Sequence, residues 1–168
     1  MSRPQTQSDE VDRARRFGGI ARLYGEATLT VLARSRACVV GVGGVGSWAA
    51  EALARSGVGR LTLVDADHVA ESNVNRQVHA LDSTLGASKI DAMRARIVDI
   101  APQCEVRPVD EFVTAGNAAE LVAGCDVVID AIDNVRAKAA MVLACREAGV
   151  PLVVCGGAGG KTDPARIR

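Results

Sequence analysis

The sequence predicts an α/β protein whose doubly wound, mostly parallel sheet carries helices on both faces and is preceded by short N-terminal helices. From residue 37 onward, stretches with strand character alternate with stretches that carry apolar residues at helical spacing. The strand expected at residues 126–132 has an apolar core, which is typical of a strand covered by helices on both faces. A glycine-rich turn joins the first strand to the helix after it. These observations favour parallel strands joined by right-handed crossovers.

Length and composition fit one globular domain and exclude several classes of protein. The 168 residues are 48% hydrophobic and 24% charged, which excludes wholesale disorder. Twenty Lys and Arg balance twenty Asp and Glu, and aromatics make up 2%, so neither a strongly basic nucleic-acid binder nor an aromatic platform for RNA bases is predicted. With no apolar run of about 20 residues and no signal peptide, the chain is expected in the cytoplasm and not at a membrane. The five cysteines never form a Cys-x-x-Cys pair, which argues for reduced thiols and against structural zinc.

The first half of the chain divides at its glycines and polar breakers. The polar segment at residues 1–15 is expected to be frayed, and residues 16–168 are expected to form one domain. One or two short helices are predicted between residues 12 and 33, because glycines interrupt the apolar pattern there. The elements that follow are a strand at 37–42, a helix at 47–56 that Gly57 ends, and a strand at 61–64.

The second half continues the alternation. An apolar stripe at every third or fourth residue predicts a helix at 87–100, which Pro102 ends. Alternating character predicts a strand at 105–109, and Asn117 is expected to cap a short helix at 117–123. The remaining elements are a strand at 126–132, a helix at 135–148 and a strand at 151–155.

A glycine motif follows the first strand and opens the next helix, which is the context of a Rossmann-like dinucleotide fingerprint. Gly41 permits the tight turn, and Gly46 lets the helix pack on the strand. Gly43 and Gly44 remove Cβ atoms where a phosphate must approach the backbone and the free N–H groups of the helix. Asp65 ends the second strand, where an acid accepts hydrogen bonds from ribose hydroxyls. The motif by itself fits either a nicotinamide dinucleotide or ATP.

Cationic residues downstream of the motif favour ATP. Asp65 and Asp67 are followed by the segment SNVNRQ at residues 72–77 and then by Lys89. A triphosphate carries more charge than the single pyrophosphate of a dinucleotide and needs cations to hold it. Arg76 offers a bidentate fork and Lys89 a point charge, so the pair indicates a triphosphate site.

Asp133 and Asn134 follow the apolar strand, at the edge where open α/β sheets bind ligands. A bare carboxylate repels phosphates, so Asp133 is useful there together with Mg²⁺, which takes one or two carboxylates plus phosphate oxygens. The same residue is also placed to cap the helix at 135–148. Asp130 points to the opposite face by strand alternation and is expected to be structural.

Structural roles are predicted for four further residues. His68 and His79 have no Ser or Cys partner at a motif spacing. Cys155, at the end of a strand, has the character of a small buried apolar residue. Trp48 is assigned to helix packing.

Several segments together resemble the ubiquitin-activating-enzyme-like family of adenylyltransferases. They are residues 16–25 (RFGGIARLYG), 41–48 (GVGGVGSW), 63–67 (LVDAD), 73–77 (NVNRQ), Lys89 and 132–134 (IDN). The resemblance runs from about Arg16 to the last residue, and it is strongest to members that dehydrate a threonyl-modified adenosine of tRNA. It implies that residues 16–168 form an ATP-binding, Rossmann-like domain.

The resemblance also implies a reaction, with ATP and Mg²⁺ as cofactors and tRNA as substrate. A substrate carboxylate attacks the α-phosphate to form an acyl-adenylate, and a neighbouring nitrogen or oxygen then displaces AMP, closing a ring with net loss of water. The expected catalytic residues are Arg76, Lys89 and Asp133, with Asp133 at Mg²⁺. The expected nucleotide-binding residues are Gly41, Gly43, Gly44, Gly46, Asp65, Asp67, Ser72, Asn73, Asn75, Arg76, Gln77, Lys89, Asp133 and Asn134.

Two departures from the family pattern bear on the expected assembly. Many relatives carry an arginine that reaches into the ATP site of the partner subunit, and Gly19 stands at that position here. Arg22, or else Arg16, is the candidate for that role. Relatives also continue beyond the last residue of this chain, so the chain is expected to be an N-terminal part. The resemblance implies a homodimer and a cysteine desulfurase or other sulfur acceptor as a partner.

Three alternative functions remain open. The first, within the same family, is adenylation of the C-terminus of a ubiquitin-like sulfur-carrier protein. The second is a NAD-dependent oxidoreductase that uses the same glycine turn and Asp65. The third is a non-catalytic remnant that binds a nucleotide or only dimerises.

Overall fold

A five-stranded, fully parallel sheet forms the centre of the computed structural model, which describes residues 12–157, 160 and 162–163. The strands lie in the order β3-β2-β1-β4-β5, so the direction of winding reverses between β1 and β4. This order confirms the predicted doubly wound α/β fold. The strands are β1 (Arg36–Val40), β2 (Arg60–Val64), β3 (Glu105–Val109), β4 (Val127–Asp130) and β5 (Leu152–Val154).

Helices cover both faces of the sheet, as predicted. On one face, α1, α3 and α4 pack against Val39, Leu61 and Leu63. On the other face, α5 and α6 pack against Val40 and Val128. The helices are α1 (Arg13–Tyr24), α2 (Glu26–Arg34), α3 (Gly46–Arg55), α4 (Lys89–Ile100), α5 (Ala118–Val122) and α6 (Val135–Ala148). In the part of the chain that the structure describes, none of them is long and apolar enough to span a membrane.

The first helix begins inside the segment that was predicted to be frayed. Of the predicted residues 1–15, residues 1–11 lie outside those that the structure describes, and α1 begins at Arg13. The Asp12 carboxylate caps this helix by accepting a hydrogen bond from the N–H of Arg15 at 2.9 Å. Arg13 donates to the carbonyl oxygen of Gly57 at 2.6 Å. These two bonds fix the start of α1, which falls within the helical pattern predicted for residues 12–33.

Two elements differ from the prediction in ways that shape the carboxyl edge of the sheet. The strand predicted at 126–132 ends at Asp130, because the Asp130 carboxylate accepts a hydrogen bond from the N–H of Ile132 and turns the chain away. Asn117 precedes α5, but its side chain does not cap that helix. Its Oδ1 accepts instead from the N–H of Thr114 at 2.8 Å, which braces the loop after β3.

The two edges of the sheet have different side chains. At one edge, β3 carries Pro108 in register with Leu63. At the other, β5 pairs with β4 and leaves Val153 and Val154 about half exposed. Pro108 therefore interrupts the row of backbone N–H donors along β3, whereas no proline interrupts the row along β5.

Gly59 is expected to be essential to the stability of the fold. Its N–H donates to the carbonyl oxygen of Leu32 at 2.9 Å, and a Cβ at this position would lie 1.9 Å from the carbonyl oxygen of Ala33. Because the clash is with backbone, Gly59→Ala should lower the free energy of unfolding by about 1–3 kcal/mol, measured by urea denaturation. The matched control is Gly116→Ala, whose nearest neighbour would be Thr114 Oγ1 at 3.7 Å. Equal stability of the two variants would contradict the packing described here.

Candidate functional site

A cavity of about 590 Å³ opens at the carboxyl ends of β1, β2 and β4, where the order of the sheet reverses. This is the edge at which open α/β sheets bind ligands. Most of the predicted site residues line this cavity together. They are Gly41, Gly43, Gly44, Asp65, Asp67, Asn73, Arg76, Gln77, Lys89, Asp133 and Asn134.

Close contacts within the protein account for three glycines of the turn. Gly41 has a φ of 85°, and a Cβ there would lie 2.8 Å from Ile132. A Cβ on Gly46 would lie 1.7 Å from the carbonyl oxygen of Gly41, so α3 begins directly against the end of β1. A Cβ on Gly44 would lie 3.3 Å from the aliphatic part of Arg76. Gly44 therefore makes room for Arg76, a reason that sequence reasoning missed.

The Asp65 carboxylate accepts two backbone hydrogen bonds, one of them from the glycine turn. Its Oδ2 accepts a hydrogen bond from the N–H of Val42 at 2.6 Å, and its Oδ1 accepts one from the N–H of Asp67 at 2.9 Å. Each carboxylate oxygen has a further lone pair, so Asp65 can also accept hydrogen bonds from hydroxyl groups of a ligand. Asp65 lines the cavity, and its ribose-binding role stays a prediction from the sequence.

Arg76 is held over the glycine turn by neighbours that do not line the cavity. Its Nη1 donates to the carbonyl oxygen of Ser72 at 2.8 Å and to Oδ1 of Asn75 at 2.9 Å. Trp48 donates its indole N–H to the backbone carbonyl of Arg76 at 3.0 Å, and its side chain is 55% exposed. The assignment of Trp48 to helix packing is therefore wrong, since its hydrogen bond draws it to the Arg76 loop. Ser72 and Asn75 act through Arg76.

Lys89 begins α4 and turns its ammonium toward the cavity. Its side chain is 8% exposed, and Nζ lies 2.9 Å from Oδ2 of Asp67. The backbone N–H of Lys89 also donates to the carbonyl of Asp67, at 3.0 Å. An ammonium carries three donors, so Lys89 can bind Asp67 and an anionic ligand at the same time.

His79 is a buried neutral residue close to this ion pair. It is 1% exposed, and its two ring nitrogens have no hydrogen-bond partner among the described residues. Burial, together with the positive charge of Lys89, lowers the pKa of His79 to about 4. Oε1 of Gln77, which lines the cavity, is likewise buried without a partner in the described part of the chain.

Asn134, and not Asp133, caps α6. The Asn134 Oδ1 accepts hydrogen bonds from the N–H groups of Arg136 at 3.0 Å and Ala137 at 3.1 Å. This leaves the exposed Asp133 carboxylate facing the cavity. Within the described residues, no group of three or more His, Cys, Asp or Glu is placed to hold a metal. A single carboxylate beside the predicted phosphate site nevertheless fits Mg²⁺, which can take its other ligands from phosphate and water.

Some predicted residues lie outside the cavity lining. Gly46 acts through the packing of α3, as described above. Arg22 is exposed on α1, and the cavity of this chain does not include it. Arg16, the second candidate for the arginine absent at Gly19, donates to the carbonyl oxygen of Ile100 at 2.5 Å and so joins α1 to the end of α4.

The loop after β3 contributes residues that sequence reasoning missed. Glu111, Phe112 and Val113 also line the cavity. The available signal was positional, because this loop leaves the same carboxyl edge of the sheet as the loops after β1, β2 and β4. Asn117 steadies it by donating to Oε2 of Glu111 at 3.0 Å.

Known proteins resemble this chain over nearly all of its length. The model of the ThiF family matches residues 17–168. The tRNA threonylcarbamoyladenosine dehydratase of Escherichia coli K12 is 54% identical over 154 residues, and the protein of that name from Bacillus subtilis 168 is 50% identical over 145 residues. These matches cover 91% and 86% of this chain.

A solved structure shares the fold. It is the E. coli tRNA N6-threonylcarbamoyladenosine dehydratase in complex with ATP, with a TM-score of 0.88 and 54% identity over 90% of this chain. The match covers 63% of that structure's chain. The E. coli and B. subtilis relatives are matched over 58% and 57% of their lengths, so this chain spans under two thirds of each.

Protonation of His79 is expected to destabilise the folded chain in acid. In the unfolded chain this histidine takes a proton near pH 6.5, whereas in the fold it stays neutral until about pH 4. The stability that it contributes is thus present above pH 6.5 and is lost as the pH falls toward 4. His79→Gln should reduce the drop in unfolding free energy between pH 7 and 4.5 by about 2–3 kcal/mol, measured by urea denaturation.

The exposed His68 supplies the control for this measurement. His68→Gln should leave the acid-induced drop as large as in the parent chain. If His79→Gln leaves it unchanged too, His79 is protonated normally in the fold.

Proposed function

This chain belongs to the ThiF family, and we propose that it uses ATP to adenylate a carboxylate, namely the threonyl carboxylate of threonylcarbamoyladenosine in tRNA. A cyclising dehydration follows. The observation that carries the proposal is that Arg76, Lys89 and Asp133 line one cavity together with the glycine turn. The names of the relatives and the ATP complex of one of them support the choice of substrate.

The charges of the cavity support ATP over a nicotinamide dinucleotide. A dinucleotide presents one pyrophosphate, which the N–H groups at the start of α3 can largely satisfy. Arg76 and Lys89 add two positive charges beyond the turn, and these match the larger negative charge of a triphosphate. Lys89, held by Asp67, and Arg76, held by Ser72 and Asn75, are fixed before any ligand arrives.

In the proposed first step, a carboxylate oxygen of the substrate attacks the α-phosphorus of ATP. The bond from the α-phosphorus to the bridging oxygen breaks, and pyrophosphate leaves with the electron pair. Arg76 and Lys89 stabilise the charge that grows on the leaving group. Asp65 holds the ribose, and the start of α3 directs its N–H groups at the phosphates.

Mg²⁺ held by Asp133 would supply further charge neutralisation at the phosphates. In the second step, a nitrogen or oxygen of the same threonylcarbamoyl group attacks the activated carbonyl carbon. AMP leaves, a ring closes, and the nucleoside has lost one water overall. Adenylation is needed because it turns a poor leaving oxygen into a good one.

The remaining assignments are predictions from the sequence. Adenylation of a sulfur-carrier protein uses the same cavity and the same first step, so the two functions differ in the macromolecule that brings the carboxylate. Four other assignments also stay predictions: the homodimer, the cysteine desulfurase or sulfur acceptor as a partner, the cytoplasmic location and the role of Arg22.

Calorimetry with ATP–Mg²⁺ and with NAD⁺ discriminates between the classes of ligand. The chain is expected to bind ATP–Mg²⁺ and to show no binding heat with NAD⁺. ATP–pyrophosphate exchange should then be stimulated by tRNA that carries threonylcarbamoyladenosine, and not by a sulfur-carrier protein, because adenylation of either carboxylate releases pyrophosphate. Binding of NAD⁺ in preference to ATP would refute the proposal, and exchange stimulated by the carrier protein alone would favour the alternative.

Removal of the charged groups should abolish chemistry and leave the fold intact. Arg76→Ala and Asp133→Ala are each expected to reduce AMP formation by about 10²–10³-fold, because the first removes a cation at the phosphates and the second removes the carboxylate that would hold Mg²⁺. The control is Arg94→Ala, which removes an exposed arginine from α4 outside the cavity. Thermal unfolding of all three variants checks their integrity, and unimpaired AMP formation in either cavity variant would disprove its assignment.

A further inference from the structure

A second cavity, of about 470 Å³, adjoins the first. The two share a wall that includes Gly44, Arg76 and Asp133. From that wall the second cavity extends away from Asp65 and Lys89 toward Cys155, Gly156 and Gly157 at the end of β5. The residues predicted to hold a nucleotide do not account for this space.

The position of the second cavity matters because the proposed reaction joins two molecules. A carboxylate can attack phosphorus only when the two reactants are in contact and aligned. The first cavity contains the groups suited to ATP, and the shared wall contains the cation and the carboxylate expected beside its phosphates. A carboxylate that enters from the second cavity therefore meets Arg76 at the wall, which complements its charge.

The far end of this cavity is fixed by a buried ion pair. Asp130 is fully buried, and Nζ of Lys138 lies 3.0 Å from its Oδ1. The same Nζ donates to the carbonyl oxygen of Cys155 at 2.9 Å, and the N–H of Cys155 donates to the carbonyl oxygen of Asp130 at 2.8 Å. Both backbone groups of Cys155 are therefore anchored.

The Cys155 side chain lies on the α3 side of the sheet. Leu152 packs into the core on the α5–α6 face, and strand alternation directs Cys155 to the opposite face. Val45, at the start of α3, lines the same cavity. Cys155 is half-buried, and not fully buried as the sequence predicted, because it borders this open space.

We propose that the second cavity is the acyl-substrate subsite, which takes the carboxylate-bearing arm of a modified nucleoside in RNA, and that Cys155 limits the room at its far end. This inference rests on the proposed function and names the place of its second substrate. Arg76 orients the carboxylate toward the phosphates, and the uncharged end at Cys155, Gly156 and Gly157 receives the rest of the arm.

The first test fills the cavity. Cys155→Phe should lower kcat/KM for tRNA carrying threonylcarbamoyladenosine at least tenfold and leave the Kd of ATP–Mg²⁺ within twofold. Ala139→Phe adds a similar bulk on the exposed side of α6 and is expected to change neither value. Thermal unfolding checks the fold of both. Unchanged kcat/KM in folded Cys155→Phe, or weakening of ATP binding to the same degree, would overturn the assignment.

The second test uses the thiol as a reporter and needs no turnover. Alkylation of Cys155 by iodoacetamide is followed by peptide mass spectrometry in the presence of a non-hydrolysable ATP analogue. Free threonylcarbamoyladenosine should slow it at least fivefold, and adenosine, which lacks the carboxylate, should not.

The possible outcomes separate this inference from the proposed function. Protection by a carrier-protein C-terminal peptide and not by the nucleoside would overturn the RNA assignment. Protection that rises with protein concentration alone would show that a second copy of the chain fills the cavity, which also overturns it. If the chain binds ATP and forms AMP while Cys155 stays equally reactive, the subsite is wrong and the function stands. If no ATP binds, the function fails.

Discussion

The approach of Gly46 to the carbonyl oxygen of Gly41 is the contact on which the geometry of the site depends. A Cβ at Gly46 would come within 1.7 Å of that oxygen, so the first turn of α3 can lie against the end of β1 only if this residue has no side chain. The same close contact brings the N–H groups of α3 to the point where the sheet order reverses. Asp65 then holds the neighbouring strand end in position through the N–H of Val42. Backbone packing thus fixes the edge proposed to bind the phosphates before any cationic side chain contributes.

The cations that face this edge are positioned by residues behind them. Ser72, Asn75 and Trp48 hold the Arg76 segment through one side-chain and two backbone acceptors. Asp67 performs the same task for Lys89. Because long cationic side chains lose much conformational freedom when they are fixed, a site whose cations are already held loses less on binding its ligand. The hydrogen bonds that hold the loop at residues 72–77 thus also position Arg76 for its proposed function.

Much of the fold could be predicted because local signals were consistent with one another. The alternation of strand and helix patterns, the glycine turn and the acid after the second strand all act over a few residues, and the structure contains them together. The contacts that sequence reasoning missed join distant segments. The dependence of Gly44 on Arg76, the hydrogen bond of Trp48 to that loop and the burial of His79 near Lys89 each join positions that periodicity does not connect. Glu111, Phe112 and Val113 were missed because their loop lacks a motif, although the topology of the sheet placed it at the right edge.

The different edges of the sheet have a consequence for how this domain meets other polypeptides. Pro108 interrupts the row of donors along β3, so a strand arriving from that direction would find an incomplete ladder. Along β5, the half-exposed side chains of Val153 and Val154 are uncharged and β-branched, which suits pairing with another strand. Among the described residues, β5 therefore offers the edge better suited to main-chain pairing, and a strand that paired there would lie beside the second cavity.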